Sequence, residues 1–265
     1  MKHILFSLCL LIISVATYAG DKSTDTKLDI FLFIGQSNMA GRGYITDNYK
    51  DSIDNVYLLT PTGDMEPASN PLNKYSTIRK DLKMQGVGPA YSFSKTIAKK
   101  TGHKLGLVVN ARGGTSIHSW LKGAEANYYR EALSRIRQAM KYGTLKAIIW
   151  HQGESDSRHP ETYMAKLQKL VTDLRKDLGN EDLPFIVGEI AEWSTDDSSE
   201  AFNNMLRTVP QHIPNSYCVS SKELVPLINE KDPHFSADSQ IILGKRYAEV
   251  VYKACYANES GSSAQ

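Results

Sequence analysis

The chain has 265 residues, 41% of them hydrophobic and 23% charged, and its formal net charge is +2. That size supports one well-buried α/β domain. The near-neutral balance excludes the basic stripe of an electrostatic nucleic-acid binder. The three cysteines show no Cys-x-x-Cys spacing and no His-x-x-x-His pair accompanies them, which excludes a sequence-encoded zinc cluster.

Met1-Lys2-His3 precedes an apolar run over 4–15 and a small-residue exit at Ala16-Thr17-Tyr18-Ala19-Gly20. These are the parts of a secretory signal peptide, expected to span 1–19 and to direct the chain to the periplasm or the exterior. The run is too short for a membrane span, which needs about 20 apolar residues. A single domain over 20–256 and a loose polar tail over 257–265 are expected to follow. Of the cysteines left after cleavage, Cys218 and Cys255 can pair in an oxidising compartment or serve as small buried hydrophobes.

The first strand is expected over 29–34 and a short second one over 56–59. Residues 60–86, rich in Pro, Asn, Thr and Lys, show no period and read as a long surface loop that walls a cleft. Gly88-Pro89 opens a helix through Lys100 that buries Tyr91, Phe93 and Ile97. A strand over 105–110 and a helix over 128–142 follow, then a strand over 146–150. Tyr163, Leu167, Leu170, Val171, Leu174 and Leu178 step by three and four and mark a helical face. Pro160 and Gly179 punctuate its ends. Further strands are expected over 185–190 and 217–220, with helices over 200–208 and 237–256. Short continuous apolar strands alternating with helices imply a parallel sheet covered on both faces.

Each unusual motif directly follows a strand, so all converge on one sheet edge, where α/β folds bind ligands. Ser37 lies in Gly35-Gln36-Ser37-Asn38-Met39, and is either a helix cap or a nucleophile needing a base. His234, in Asp232-Pro233-His234, is the candidate base, with Asp232 steadying its other ring nitrogen; His118 and His151 compete from the same edge. The Gly114 N–H and the Gln152 amide are candidate oxyanion donors, although Gln152 can equally tie loops together. Glu154 and Asp156 are expected to bond loop N–H groups. Glu189, ending a buried strand, is a rival acid for the histidine. Trp120, Trp150 and Trp193 are candidate sugar-stacking platforms.

Four blocks in order, Gly35-Gln36-Ser37-Asn38-Met39, Gly113-Gly114-Thr115-Ser116-Ile117 with Trp120, His151-Gln152-Gly153-Glu154-Ser155-Asp156 and Asp232-Pro233-His234-Phe235, resemble the SGNH hydrolase superfamily. The branch most similar holds the family-six carbohydrate esterases (acetylxylan esterases) and sialate O-acetylesterases, and the resemblance covers about 29–252. It implies a flavodoxin-like three-layer α/β/α sandwich with a five-stranded parallel sheet. It implies serine-dependent release of acetate from an acetylated carbohydrate, acetylxylan first and sialate second, without metal or organic cofactor. Position by position, Ser37 becomes the nucleophile and His234 the base, with Ser37, Gly114 and Gln152 as the oxyanion hole. The superfamily's aspartate stands three before the histidine, where this chain has Lys231, so Asp232 and Glu189 both remain candidates for the orienting acid. A non-catalytic glycan-binding protein on the same scaffold is the alternative.

Overall fold

The computed structural model describes residues 27–193 and 198–257. The leader expected over 1–19 and all but the first residue of the tail expected over 257–265 lie outside the described residues. Strand β1 (Leu28–Gly35) is buried along its whole length. Its side chains alternate between two cores, as a strand's period of two dictates. Ile30, Leu32 and Ile34 face one; Phe31 and Phe33 face the other, edge-on to Phe93 at 5.0 and 5.1 Å between ring centroids.

Around β1 the sheet runs β3-β2-β4-β1-β5-β6-β7, with β2 at Val56–Leu59, β3 at Met65–Pro67, β4 at Leu105–Val109, β5 at Gly143–His151, β6 at Phe185–Gly188 and β7 at Ser216–Val219. Five of these strands, in the order β4-β1-β5-β6-β7, have the flavodoxin-like order, in which the second strand in sequence precedes the first. The expected five-stranded sheet is thus widened to seven. β2 adds parallel to β4, and β3 folds back antiparallel on β2 with Leu59 opposite Met65. β3 lies inside the stretch read as a loop. Three residues ending in a proline, none of them buried, carry no alternating pattern, and such a strand is tolerated only at an edge.

One face of the sheet is covered by α3 (Tyr128–Ala139) and α4 (Pro160–Leu178), the other by α2 (Pro89–Thr101) and α7 (Ala237–Cys255). α4 begins at Pro160 and stops at Gly179, whose φ of 70° closes the helix in the left-handed region. α2 and α7 approach closely at Gly244. A β-carbon there would stand 2.1 Å from the Pro89 carbonyl oxygen, so the contact requires glycine. α5 (Ser198–Arg207) packs on α4 and is followed by the short α6 (Val209–His212). Trp120 and Trp150 are fully buried and meet edge-on at 5.3 Å. They are core residues and not sugar platforms; of the three tryptophans only Trp193 keeps a partly open face. Cys218 and Cys255 are not paired with each other in a disulfide. Among the described residues no helix is long and apolar enough to cross a membrane.

Candidate active site

The parallel order reverses direction between β1 and β5, and in open α/β sheets the crevice outside such a switch point takes the ligand. Gly35 ends β1 in register with His151. Its φ is +136°, and a β-carbon would collide with the His151 carbonyl oxygen at 2.1 Å, so the turn demands glycine. The chain then enters α1, a single turn over Ser37–Ala40. Ser37 heads it, where backbone N–H groups have no intrahelical acceptor. The glycine pair after β4 closes on the same serine. A β-carbon on Gly113 would lie 3.3 Å from the Ser37 Cβ and 2.6 Å from the Arg42 Nη2. Gly114 is exposed, with φ of +69°, and Lys80 stands beside it. Part of the stretch over 60–86 lies against the chain that follows β4: Asn73 exchanges hydrogen bonds with both backbone groups of Ala111, and the Arg112 guanidinium donates to the Ile78 carbonyl.

His234 arrives from the far end of the chain, just before α7. Its Nδ1 lies 2.7 Å from the Asp232 Oδ1, which also accepts the His234 N–H at 3.0 Å. Asp232 therefore holds both the ring and the backbone of the histidine. Its own carbonyl accepts from the Trp193 indole at 2.7 Å, and the His234 carbonyl accepts from the Leu227 N–H. Asn38, next to Ser37, reaches across 195 residues of sequence to the same loop. Its Nδ2 donates to the Pro233 carbonyl at 2.9 Å and to the Glu154 Oε1 at 2.5 Å, while its Oδ1 accepts the Phe235 N–H at 3.1 Å. Asn38 and Arg42 have no role in the sequence reading. The available signal for Asn38 is a polar residue directly after the Gly-flanked serine, inside an otherwise apolar turn.

Two expected roles change. The Gln152 amide is buried and donates to the Gln36 Oε1, the Thr115 carbonyl and the Asp156 Oδ2 at 3.0, 2.9 and 2.6 Å. Two hydrogens already face three acceptors, so Gln152 ties loops together and is not a free oxyanion donor. Asp156 completes that tie by accepting the Ile117 N–H. Glu189 is equally committed. Its Oε1 takes the Arg207 Nε at 2.5 Å, and its Oε2 takes the Ser220 hydroxyl and the Ser221 N–H. The structure brings Asp232 to His234 and leaves Glu189 on Arg207.

The electrostatics follow from burial. His151 is fully buried, its Nδ1 on the Tyr247 hydroxyl, and desolvation pushes its pKa down to about 3, so it is a neutral core residue. His118 is exposed. Burial also lowers the pKa of His234; Asp232 opposes the shift and the positive charge of Arg42 adds to it. Glu154 is raised to about 7 by burial, against the hydrogen bonds that favour its ionised form. Among the described residues no group of three or more His, Cys, Asp or Glu side chains gathers as a metal site.

Residues 27–253 match the family described as carbohydrate esterase, sialic acid-specific acetylesterase. A probable carbohydrate esterase of Arabidopsis thaliana is 29% identical over 245 residues, covering 83% of this chain and 88% of the relative. Its solved structure superposes with a TM-score of 0.76 over 86% of this chain and 98% of that one. A carbohydrate acetylesterase from Xanthomonas citri, 17% identical, gives a TM-score of 0.63 over 86% of this chain and 57% of its own. An acetyl-xylooligosaccharide esterase from Geobacillus, 12% identical, gives 0.53 over 86% and 96%.

Proposed function

This chain belongs to the carbohydrate esterase, sialic acid-specific acetylesterase family and is a carboxylic ester hydrolase; from that premise we propose that it removes O-acetyl groups from glycans by a serine mechanism. Asp232 accepts a hydrogen bond from the Nδ1–H of His234, which leaves Nε2 as the base. His234 takes the Ser37 proton as the serine oxygen attacks the acetyl carbonyl. The N–H groups of Ser37 and Gly114 hold the oxyanion, without Gln152. The bond to the sugar oxygen breaks, and His234 returns the proton to that oxygen. Water then attacks the acetyl-serine, losing its proton to His234; the bond from the acetyl carbon to the Ser37 oxygen breaks, His234 returns the proton to that oxygen, and acetate leaves. The observation that carries this reading is the Asp232–His234 pair on a loop that Asn38 ties to the turn of Ser37.

Acetylxylan is the first substrate class, as the block pattern implies, and O-acetyl sialates the second. The leader over 1–19 and the single domain over 20–256 fit an exported enzyme. The test is Ser37→Ala assayed on a nitrophenyl acetate and on a panel of acetylated glycans. We expect kcat to fall by a factor on the order of 10⁴ or more with the thermal midpoint unchanged. Full activity in the variant would refute the serine mechanism. Failure of a serine-directed phosphonate to label the wild-type protein would favour the non-catalytic glycan binder.

A further inference from the structure

Among the described residues, Asn38 is the one side chain that bonds both neighbours of His234. The Pro233 carbonyl and the Phe235 N–H lie on either side of the histidine, and Asn38 donates to the first and accepts from the second. The amide has no freedom to turn. Its second Nδ2 hydrogen goes to Glu154, and its Oδ1 and backbone carbonyl both lie within reach of the Gln240 amide on α7, at 3.4 and 3.2 Å. Asn38 is fully buried and belongs to α1, whose first residue is Ser37. The turn that carries Ser37 and the loop that carries His234 are therefore joined through the Asn38 side chain.

We propose that Asn38, backed by Glu154, is a positioning residue that sets His234 against Ser37 for proton transfer. This rests on the serine mechanism proposed above. Glu154 acts on the amide: by accepting one Nδ2 hydrogen it fixes which end of the amide faces Pro233 and which faces Phe235. An amide turned end for end would put an oxygen against the Pro233 carbonyl and an N–H against the Phe235 N–H.

The test compares Asn38→Ala and Asn38→Asp with wild type, with Ser37→Ala and His234→Ala as controls. Misplacing a catalytic group by about 1 Å costs on the order of 10²-fold. We expect kcat to fall about 10- to 100-fold with KM within about threefold. The acid limb of kcat/KM should also move to higher pH. A loosened loop rehydrates His234, whose pKa burial holds down while Asp232 and Arg42 act on it in opposite senses. A variant that is merely less folded loses kcat with the limb unmoved. Wild-type kcat in both Asn38 variants, or a loss that tracks the unfolded fraction with an unmoved limb, overturns the proposal. Should the Asn38 variants fail to fold, Glu154→Gln and Glu154→Leu decide. The glutamine keeps an oxygen for Asn38 and should lose less kcat than the leucine; equal losses overturn the proposal. If Ser37→Ala or His234→Ala stays active, the serine mechanism itself falls; if both are dead and the Asn38 variants are normal, only the positioning role falls.

Discussion

The ends of β1 and β5 lie side by side, with Gly35 in register with His151, yet their polar groups serve opposite ends. At the β1 end, Ser37 heads a one-turn helix against Gly113, and its first N–H groups have no intrahelical acceptor. At the β5 end, Gln152 and Asp156 spend their hydrogen bonds on each other, on Gln36 and on the loop after β4. The same contrast separates the two candidate acids. Asp232 sits on a loop and faces a histidine; Glu189 directly follows β6 and faces an arginine, a serine hydroxyl and a backbone N–H. Position on the ligand-binding edge thus does not make a polar group catalytic. What distinguishes the two kinds is whether its donors and acceptors are already used.

The sharpest way to break this distinction is to exchange the charge at each acid in turn. Asp232→Asn keeps the shape but offers His234 the wrong hydrogen-bond pattern, and kcat should fall on the order of 10³- to 10⁴-fold. Glu189→Gln should leave kcat intact at a temperature where it is folded. It should lower stability by about 1 to 2 kcal/mol, because the half-exposed Arg207 and the Ser220 and Ser221 donors lose a charged acceptor. Steady-state kinetics and urea unfolding on the two variants read both effects. A dead Glu189→Gln beside an active Asp232→Asn would reverse the assignment.

The β5 end also holds a group that works against stability. Glu154 is buried near His151, with Nε2 to Oε1 at 3.8 Å, and near Asp156, and its pKa is raised to about 7. Between about pH 4.5 and pH 7 the native chain keeps this proton while the unfolded chain loses it. The native state then binds more protons than the unfolded one, so stability falls as pH rises across that window. The fall amounts to about 3 kcal/mol by pH 8. The stability difference between wild type and Glu154→Gln should therefore shift by about 3 kcal/mol in favour of the variant between pH 4.5 and pH 8. Denaturant midpoints at the two pH values measure it; a difference independent of pH would show that Glu154 is ionised throughout.

Much of this was legible in the sequence because local pattern and local chemistry agreed. β1 is a continuous apolar run, α4 keeps its period between Pro160 and Gly179, and β2 was placed at its observed bounds. Asp232 and His234 stand two residues apart, so their pairing needed no knowledge of the fold. The roles of Gln152 and Glu189 were not legible, because the number of acceptors around an amide or donors around a carboxylate is fixed by residues up to 116 positions away. Asn38 was missed for the same reason: its partners Pro233 and Phe235 lie at the other end of the chain. Trp120 and Trp150 misled because a tryptophan next to a motif looks the same in sequence whether it faces a sugar or the core.

The smallest effect concerns Arg42, which stands between the two kinds of group. Its guanidinium lies against Gly113 beside Ser37, donates to the Gly41 carbonyl, and is half-buried. Burial lowers its pKa, and it remains a cation at neutral pH. A fixed positive charge disfavours a second one on His234, so Arg42 helps keep the histidine neutral and able to accept a proton. Arg42→Gln retains a donor for Gly41 and removes only the charge. The His234 pKa should rise, and with it the acid limb of kcat/KM should move to higher pH, because the base must be neutral to act. Screening supplies the control. Salt weakens the opposed effects of Asp232 and Arg42 alike, so the gap in limb position between wild type and Arg42→Gln should shrink as salt is added. A limb that stays in place in the variant would mean that burial and Asp232 alone set the histidine, with Arg42 electrostatically silent.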